Sequence, residues 1–246
     1  MARPITVDLL THAPLFARLP QPLLDDVAAA SSLIARPKGA RIFEEGSASD
    51  SCYLLTAGRA KVVMSGPNGA EITIAILLPY ALVGEVSLID GLPRSAGLAA
   101  LDDCRLVHIP GRAFQALRRH REFDAMLLVH VTSTLRRATD QLRAIYTFDS
   151  VERVAWSVAQ MAMAKGLPAG REIAIRPRPS HRELAELTGS SRETVSRALL
   201  RLRTMRWLRW DRGAFYMDVK AARRYMPTAH AVEHADEAAR VGLRAV

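Results

Sequence analysis

Pro179-Ser180-His181-Arg182-Glu183-Leu184-Ala185-Glu186-Leu187-Thr188-Gly189-Ser190-Ser191-Arg192-Glu193-Thr194-Val195-Ser196-Arg197-Ala198-Leu199-Leu200 reads as two short helices joined by a tight turn. Ser180 caps the first helix, and Glu183, three residues on, reaches back to the cap amide, a capping box that starts a helix just after Pro179. Gly189 ends that helix by taking the left-handed conformation the turn needs, while the small Ala185 permits close helix crossing. Ser191 caps the second helix. Val195, Ala198, Leu199 and Leu202 then fall on its buried side, leaving Arg192, Glu193, Ser196 and Arg197 on the opposite face near its N-terminus. Arginine can donate two parallel hydrogen bonds to O6 and N7 of guanine, and glutamate can accept from N4 of cytosine. The layout is that of a DNA-reading helix-turn-helix, against the plainer alternative of a helical hairpin with a solvated charged face.

Charge points the same way. Residues 171–228 hold 14 Lys and Arg against 6 acids, a net charge of +8 out of the chain's +9. So concentrated a field suits phosphate neutralisation with counterion release. A membrane surface would attract it too, but Trp207, Trp210, Phe215 and Tyr216 flank a hairpin turn at Asp211-Arg212-Gly213-Ala214, a folded pattern that reads as a wing.

The remainder of the chain is bounded by composition. With 246 residues at 49% hydrophobic there is material for two packed domains. No stretch of about 18 uninterrupted apolar residues occurs, and the N-terminus lacks a signal-type apolar core, so the expectation is a cytoplasmic protein with no membrane partner. Cys52 and Cys104 lack metal-ligand spacing and read as small core residues. The 7 histidines show no HExxH-type spacing, and neither a serine-nucleophile elbow nor a Walker loop is present. Neither an enzyme nor a metal site is expected.

Of 14 glycines, 8 lie between Gly39 and Gly97. They separate β-rich pieces at 52–55, 60–64, 71–76 and 105–109, which predicts a small barrel or roll. Helices are predicted from Pro22 to Leu33 and from Arg112 to His120, and a long helix begins near Arg121. In the long helix Leu128, Val131, Leu135, Ala138, Leu142 and Ile145 repeat with spacings 3, 4, 3, 4, 3, a heptad seam that needs a partner, while Met126, Leu127 and Val129 are expected to pack on the roll. A two-fold coiled coil here would bring two reading helices together, the arrangement that binds palindromic operators.

Roll, long helix and winged helix-turn-helix in this order resemble the cyclic-AMP receptor/FNR (Crp/Fnr) family of bacterial transcription regulators over roughly residues 15–228. Ser191–Arg197 is similar to the family's recognition-helix motif. Leu82-Val83-Gly84-Glu85-Val86-Ser87-Leu88, followed by Arg94-Ser95-Ala96, resembles its phosphate-binding cassette. The resemblance implies that Glu85 accepts from a ribose 2′-hydroxyl, that Arg94 and Ser95 with amides near Gly84 hold a cyclic phosphate, and that Thr139 on the long helix touches the base. From the residues alone, an Arg94–Glu85 pair inside a roll reads equally as a structural ion pair.

The chain departs from the family pattern too. Ala138 stands where the cyclic-AMP receptor has an adenine-binding hydroxyl, which keeps cyclic di-GMP open beside cyclic AMP as the effector. Its second phosphate would draw on Arg59, Lys61, Arg136 or Arg137. The cysteine cluster of FNR-type iron–sulfur proteins is absent from the sequence. The expected class is α+β. Residues 1–120 form a cyclic-nucleotide-binding β-roll with flanking helices, 121–148 a dimerisation helix, 149–228 a winged helix-turn-helix domain and 229–246 a tail. The expected function is a homodimeric regulator of palindromic operators with TGTGA-like half-sites, controlled by a cyclic nucleotide, with RNA polymerase a candidate partner. The alternative is a ligand-independent DNA-binding regulator whose roll serves only dimerisation or partner contacts.

Overall fold

The computed structural model describes residues 5–66 and 71–225, so the expected tail at 229–246 lies outside the described residues. The chain divides into two compact units between Arg137 and Ala138. The α+β class and the order of roll, long helix and winged helix-turn-helix hold.

In the first unit, helices α1 (Val7–Thr11) and α2 (Gln21–Ala30) precede eight strands: β1 (Ser32–Arg36), β2 (Arg41–Phe43), β3 (Ser51–Ala57), β4 (Ala60–Ser65), β5 (Glu71–Leu77), β6 (Leu82–Val83), β7 (Gly97–Ala100) and β8 (Cys104–Pro110). A one-turn helix, α3 (Val86–Asp90), lies between β6 and β7, and α4 (Gly111–Arg118) and α5 (Arg121–Thr147) follow. The strands form two antiparallel sheets, ordered β1-β8-β3-β6 and β2-β7-β4-β5. Leu55, Ala60, Leu98, Cys104 and Leu106 fill the roll, and Phe16, Leu24, Leu54, Val107, Phe114 and Phe123 form a second core under the helices. Cys52 and Cys104 are both buried and free.

The four predicted strand pieces appear as β3, β4, β5 and β8. The helix expected to run to Leu33 stops at Ala30, because Ser31 is extended (φ −100°, ψ 167°) and Ser32–Arg36 pair along β8, Leu33 lying opposite Val107. The expectation for Val129 fails: Phe123 and Leu127 are buried in the core and Met126 packs against it, but Val129 is 58% exposed. Two positions beyond Leu127 a helix has turned about 200°, so Val129 faces away from the roll.

The second unit contains α6 (Ser150–Lys165), β9 (Leu167–Ala169), β10 (Glu172–Ile175), α7 (His181–Thr188), α8 (Arg192–Thr204), β11 (Leu208–Trp210), β12 (Phe215–Asp218) and α9 (Val219–Tyr225). Its strands pair as β11-β12-β10-β9, and Val154, Val158, Leu184, Val195, Leu199, Phe215 and Met217 lie in its core. Asp149 and Glu152 close a capping box that starts α6, with two residues between it and the end of α5.

Candidate nucleotide and DNA sites

Within the roll, β6 leads through Gly84 into α3, and Arg94 stands in the segment entering β7. Gly84 takes φ +83°, and a Cβ there would come within 2.5 Å of Arg94 Nη1, so only glycine lets the guanidinium lie against this turn. Arg94 Nη1 donates to the Gly84 carbonyl and Nη2 to the Ser51 carbonyl, both at 2.6 Å. Its backbone is held as well, its N–H donating to Ser47 O at 2.9 Å and its carbonyl accepting from Gly46 N at 2.8 Å. The guanidinium carbon lies 4.3 Å from the centre of the Phe43 ring.

Arg94 is 4% exposed, and its Nε is buried without a hydrogen-bond partner. Burial pulls the guanidinium below the ordinary arginine value, against the raising effect of neighbours that include Asp50 and Glu85. Glu85 is 5% exposed and takes a different partner: His130 Nε2 on α5 lies within hydrogen-bond distance of Glu85 Oε1, at 3.2 Å. Arg94 and Glu85 are therefore not ion-paired to each other. A buried cation whose direct partners are only carbonyls and an aromatic face is costly to desolvate, and an arriving anion would relieve that cost. Each terminal nitrogen has a second proton, and Nε–H has no acceptor, so three donors remain for that anion.

Ser95 is exposed beside Arg94. Thr139 is exposed on α5, beyond the division between the units. His130, Phe43 and Ser51 were not singled out from the sequence, because only the tertiary fold brings them to the site.

Along α5 the heptad positions lie open: Leu128 and Leu135 are each 66% exposed, Leu142 56% and Ile145 55%. Ala138 is exposed as well, and Val131 is half-buried. A row of large apolar side chains on one helical stripe is the pattern of an interface.

The reading element forms as its sequence dictates. Ser180 Oγ accepts from Glu183 N at 3.1 Å and Glu183 Oε2 accepts from Ser180 N at 2.6 Å. Gly189 sits at φ +60°, and Ser191 Oγ caps α8 by accepting from Thr194 N at 3.1 Å. Val195, Ala198, Leu199 and Leu202 are buried, Arg192, Glu193 and Arg197 are exposed and Ser196 is half-buried. Arg197 and Arg201 line a hollow with Ser150 and Val151, which begin α6. In the wing, Asp211 Oδ1 accepts from Gly213 N and Ala214 N at 2.8 Å, leaving Arg212 exposed in the turn. Arg178 and Arg203 lie over the Trp210 ring, at 5.5 and 5.0 Å from its centre.

Among the described residues no group of His, Cys, Asp and Glu is placed to hold a metal ion, and no helix is long and apolar enough to cross a membrane.

Two families match the chain: the cyclic nucleotide-binding domain over residues 34–121 and the Crp-like helix-turn-helix domain over residues 152–222. The chain is 30% identical over 176 residues to the CRP-like cAMP-activated global transcriptional regulator of Mycobacterium tuberculosis, an alignment covering 71% of this chain and 79% of that protein. It is 34% identical over 164 residues to the cyclic AMP receptor protein of Thermus thermophilus, covering 66% of this chain and 73% of the relative. Among solved structures, the c-di-GMP responsive global regulator CLP of Xanthomonas campestris shares the fold with a TM-score of 0.63 at 19% identity, covering 81% of this chain and 99% of that one.

Proposed function

This chain belongs to the Crp/Fnr family of transcription regulators, and on that premise we propose that it is a homodimer whose affinity for operator DNA is set by cyclic AMP bound in the roll. The observation that carries the reading is Arg94: buried, unpaired with Glu85 and holding an unpartnered Nε–H, it is a cation built to receive one phosphate. Glu85, kept apart from it, accepts from the ribose hydroxyl, and Ser95 adds a donor.

Cyclic AMP is favoured over cyclic di-GMP because two of the four cations on which a second phosphate would draw, Arg59 and Lys61, are already paired with carboxylates. Arg59 Nε and Asp102 Oδ2 are 2.6 Å apart, and Lys61 Nζ lies 2.6 Å from Glu71 Oε1. The relatives named for cyclic AMP are also the more similar ones in sequence.

The open seam on α5 pairs with its copy, and α8 enters the major groove with Arg192 and Arg197 on guanine and Glu193 on cytosine. Arg201 and the start of α6 contact the flanking phosphate backbone. A ligand shifts DNA affinity only by binding one arrangement of the dimer better than another, and a tenfold change takes about 1.4 kcal/mol.

Calorimetric titration tests the reading. Cyclic AMP is expected to bind once per protomer and to change the affinity for a duplex with two TGTGA half-sites by about tenfold or more, while Arg94→Leu abolishes nucleotide binding without unfolding the protein. Failure of every cyclic nucleotide to bind, with operator affinity intact, would establish the ligand-independent regulator instead.

A further inference from the structure

The contact between Glu85 and α5 is made by a histidine, and nothing in the cassette accounts for it. Glu85 lies 45 positions before His130, its side chain is 6% exposed and that of His130 22%. A carboxylate this deep needs a donor to remain in place. An ionised carboxylate only accepts, so Nε2 of His130 carries the proton of this hydrogen bond. Arg94 directs one proton of each terminal nitrogen to the carbonyls of Gly84 and Ser51 and does not hydrogen-bond to Glu85.

We propose that His130 is the positioning residue that aims Glu85 at the ribose 2′-hydroxyl, and that this hydrogen bond ties the sugar end of the ligand to α5. The assignment rests on the nucleotide reading above. Oε1 is committed to His130, which leaves Oε2 to accept from the hydroxyl. Without the imidazole the carboxylate loses its donor on α5 and turns toward solvent or toward Arg94, and the hydroxyl loses its acceptor. The phosphate end, held by Arg94, is untouched. His130 thus sets selectivity for a ribose over a deoxyribose, and the sugar contact reaches the same helix that carries the exposed seam residues Leu128 and Leu135.

The test compares cyclic AMP with 2′-deoxy cyclic AMP, which lacks only that hydroxyl, by calorimetry on the full chain. The unaltered protein is expected to prefer the ribose ligand by about tenfold, the scale of one hydrogen bond to a charged group. His130→Leu is expected to bring the two affinities within about twofold of each other by weakening cyclic AMP alone, and His130→Gln, which keeps a donor, to recover most of the preference. An unchanged preference in His130→Leu overturns the proposal and leaves the nucleotide site standing. An equal loss for both ligands in His130→Leu and His130→Gln alike reduces His130 to a packing residue and overturns it too. If the unaltered protein binds neither ligand, the nucleotide reading itself fails and the proposal falls with it.

Discussion

Glu193 and Arg197 show how a reading side chain is kept available. They sit one turn apart on α8, 3.9 Å from each other and 80% and 71% exposed. An exposed pair of this kind contributes at most about 0.5 kcal/mol to a helix, so both side chains can leave each other for base edges at little cost. Glu193→Ala is expected to relax discrimination at one base pair of each half-site by about 1–3 kcal/mol, with stability changed by less than about 0.5 kcal/mol. A binding-site selection that returns an unchanged consensus would show that this helix does not read bases with Glu193. Residues of this sort are legible in the sequence because their determinants are local: Ser180 and Glu183, or Ser191 and Thr194, are three positions apart and meet wherever the helix forms. His130 is not legible, since its partner Glu85 is distant in sequence and a lone histidine on an amphipathic helix carries no signal of its own.

Among elements, α5 is the one whose two faces have different owners. Phe123, packed 5.7 Å from Phe16 and 5.9 Å from Phe114 between ring centres, and Leu127 anchor one face in the roll. The stripe of Leu128, Leu135, Leu142 and Ile145 stays open. Leu135→Asp puts a charge opposite its own copy in the proposed dimer, costing several kcal/mol there, while at a 66% exposed position it costs the folded protomer little. Sedimentation is expected to show a folded monomer that has lost operator affinity, and a persistent dimer would place the interface elsewhere. The 3, 4 spacing made this helix readable. The strands β1, β2, β6 and β7 were not. β6 has two residues, and in β7 all four, Gly97–Ala100, are buried, so neither shows the alternation that marks a half-buried strand. Val129 departs from its expectation for a related reason: apolarity marks it as a core candidate, but only helical phase decides which apolar residue points inward.

At the scale of the whole chain, the charge is lopsided. Of a net +9, residues 171–228 account for +8, which leaves the roll and long helix nearly neutral. DNA affinity is therefore expected to fall by about 10³-fold or more between about 50 and 200 mM salt if six or more phosphates are neutralised, and Arg212→Ala to lower the log–log slope by about one unit. A flat salt dependence would contradict phosphate contact by this surface. The division of the chain inside α5 has a different consequence. Leu128 and Leu135 belong to the first compact unit and Leu142 and Ile145 to the second, so a single uninterrupted stripe depends on the number of residues between them. One residue inserted near Arg137 would turn the downstream stripe by about 100° about the helix axis and advance it by about 1.5 Å, and an insertion of about seven or eleven would be needed to bring it back into line. Point changes in either unit leave that count alone. For this helix, length matters as much as identity, since a small insertion or deletion would break the stripe without altering any residue in it.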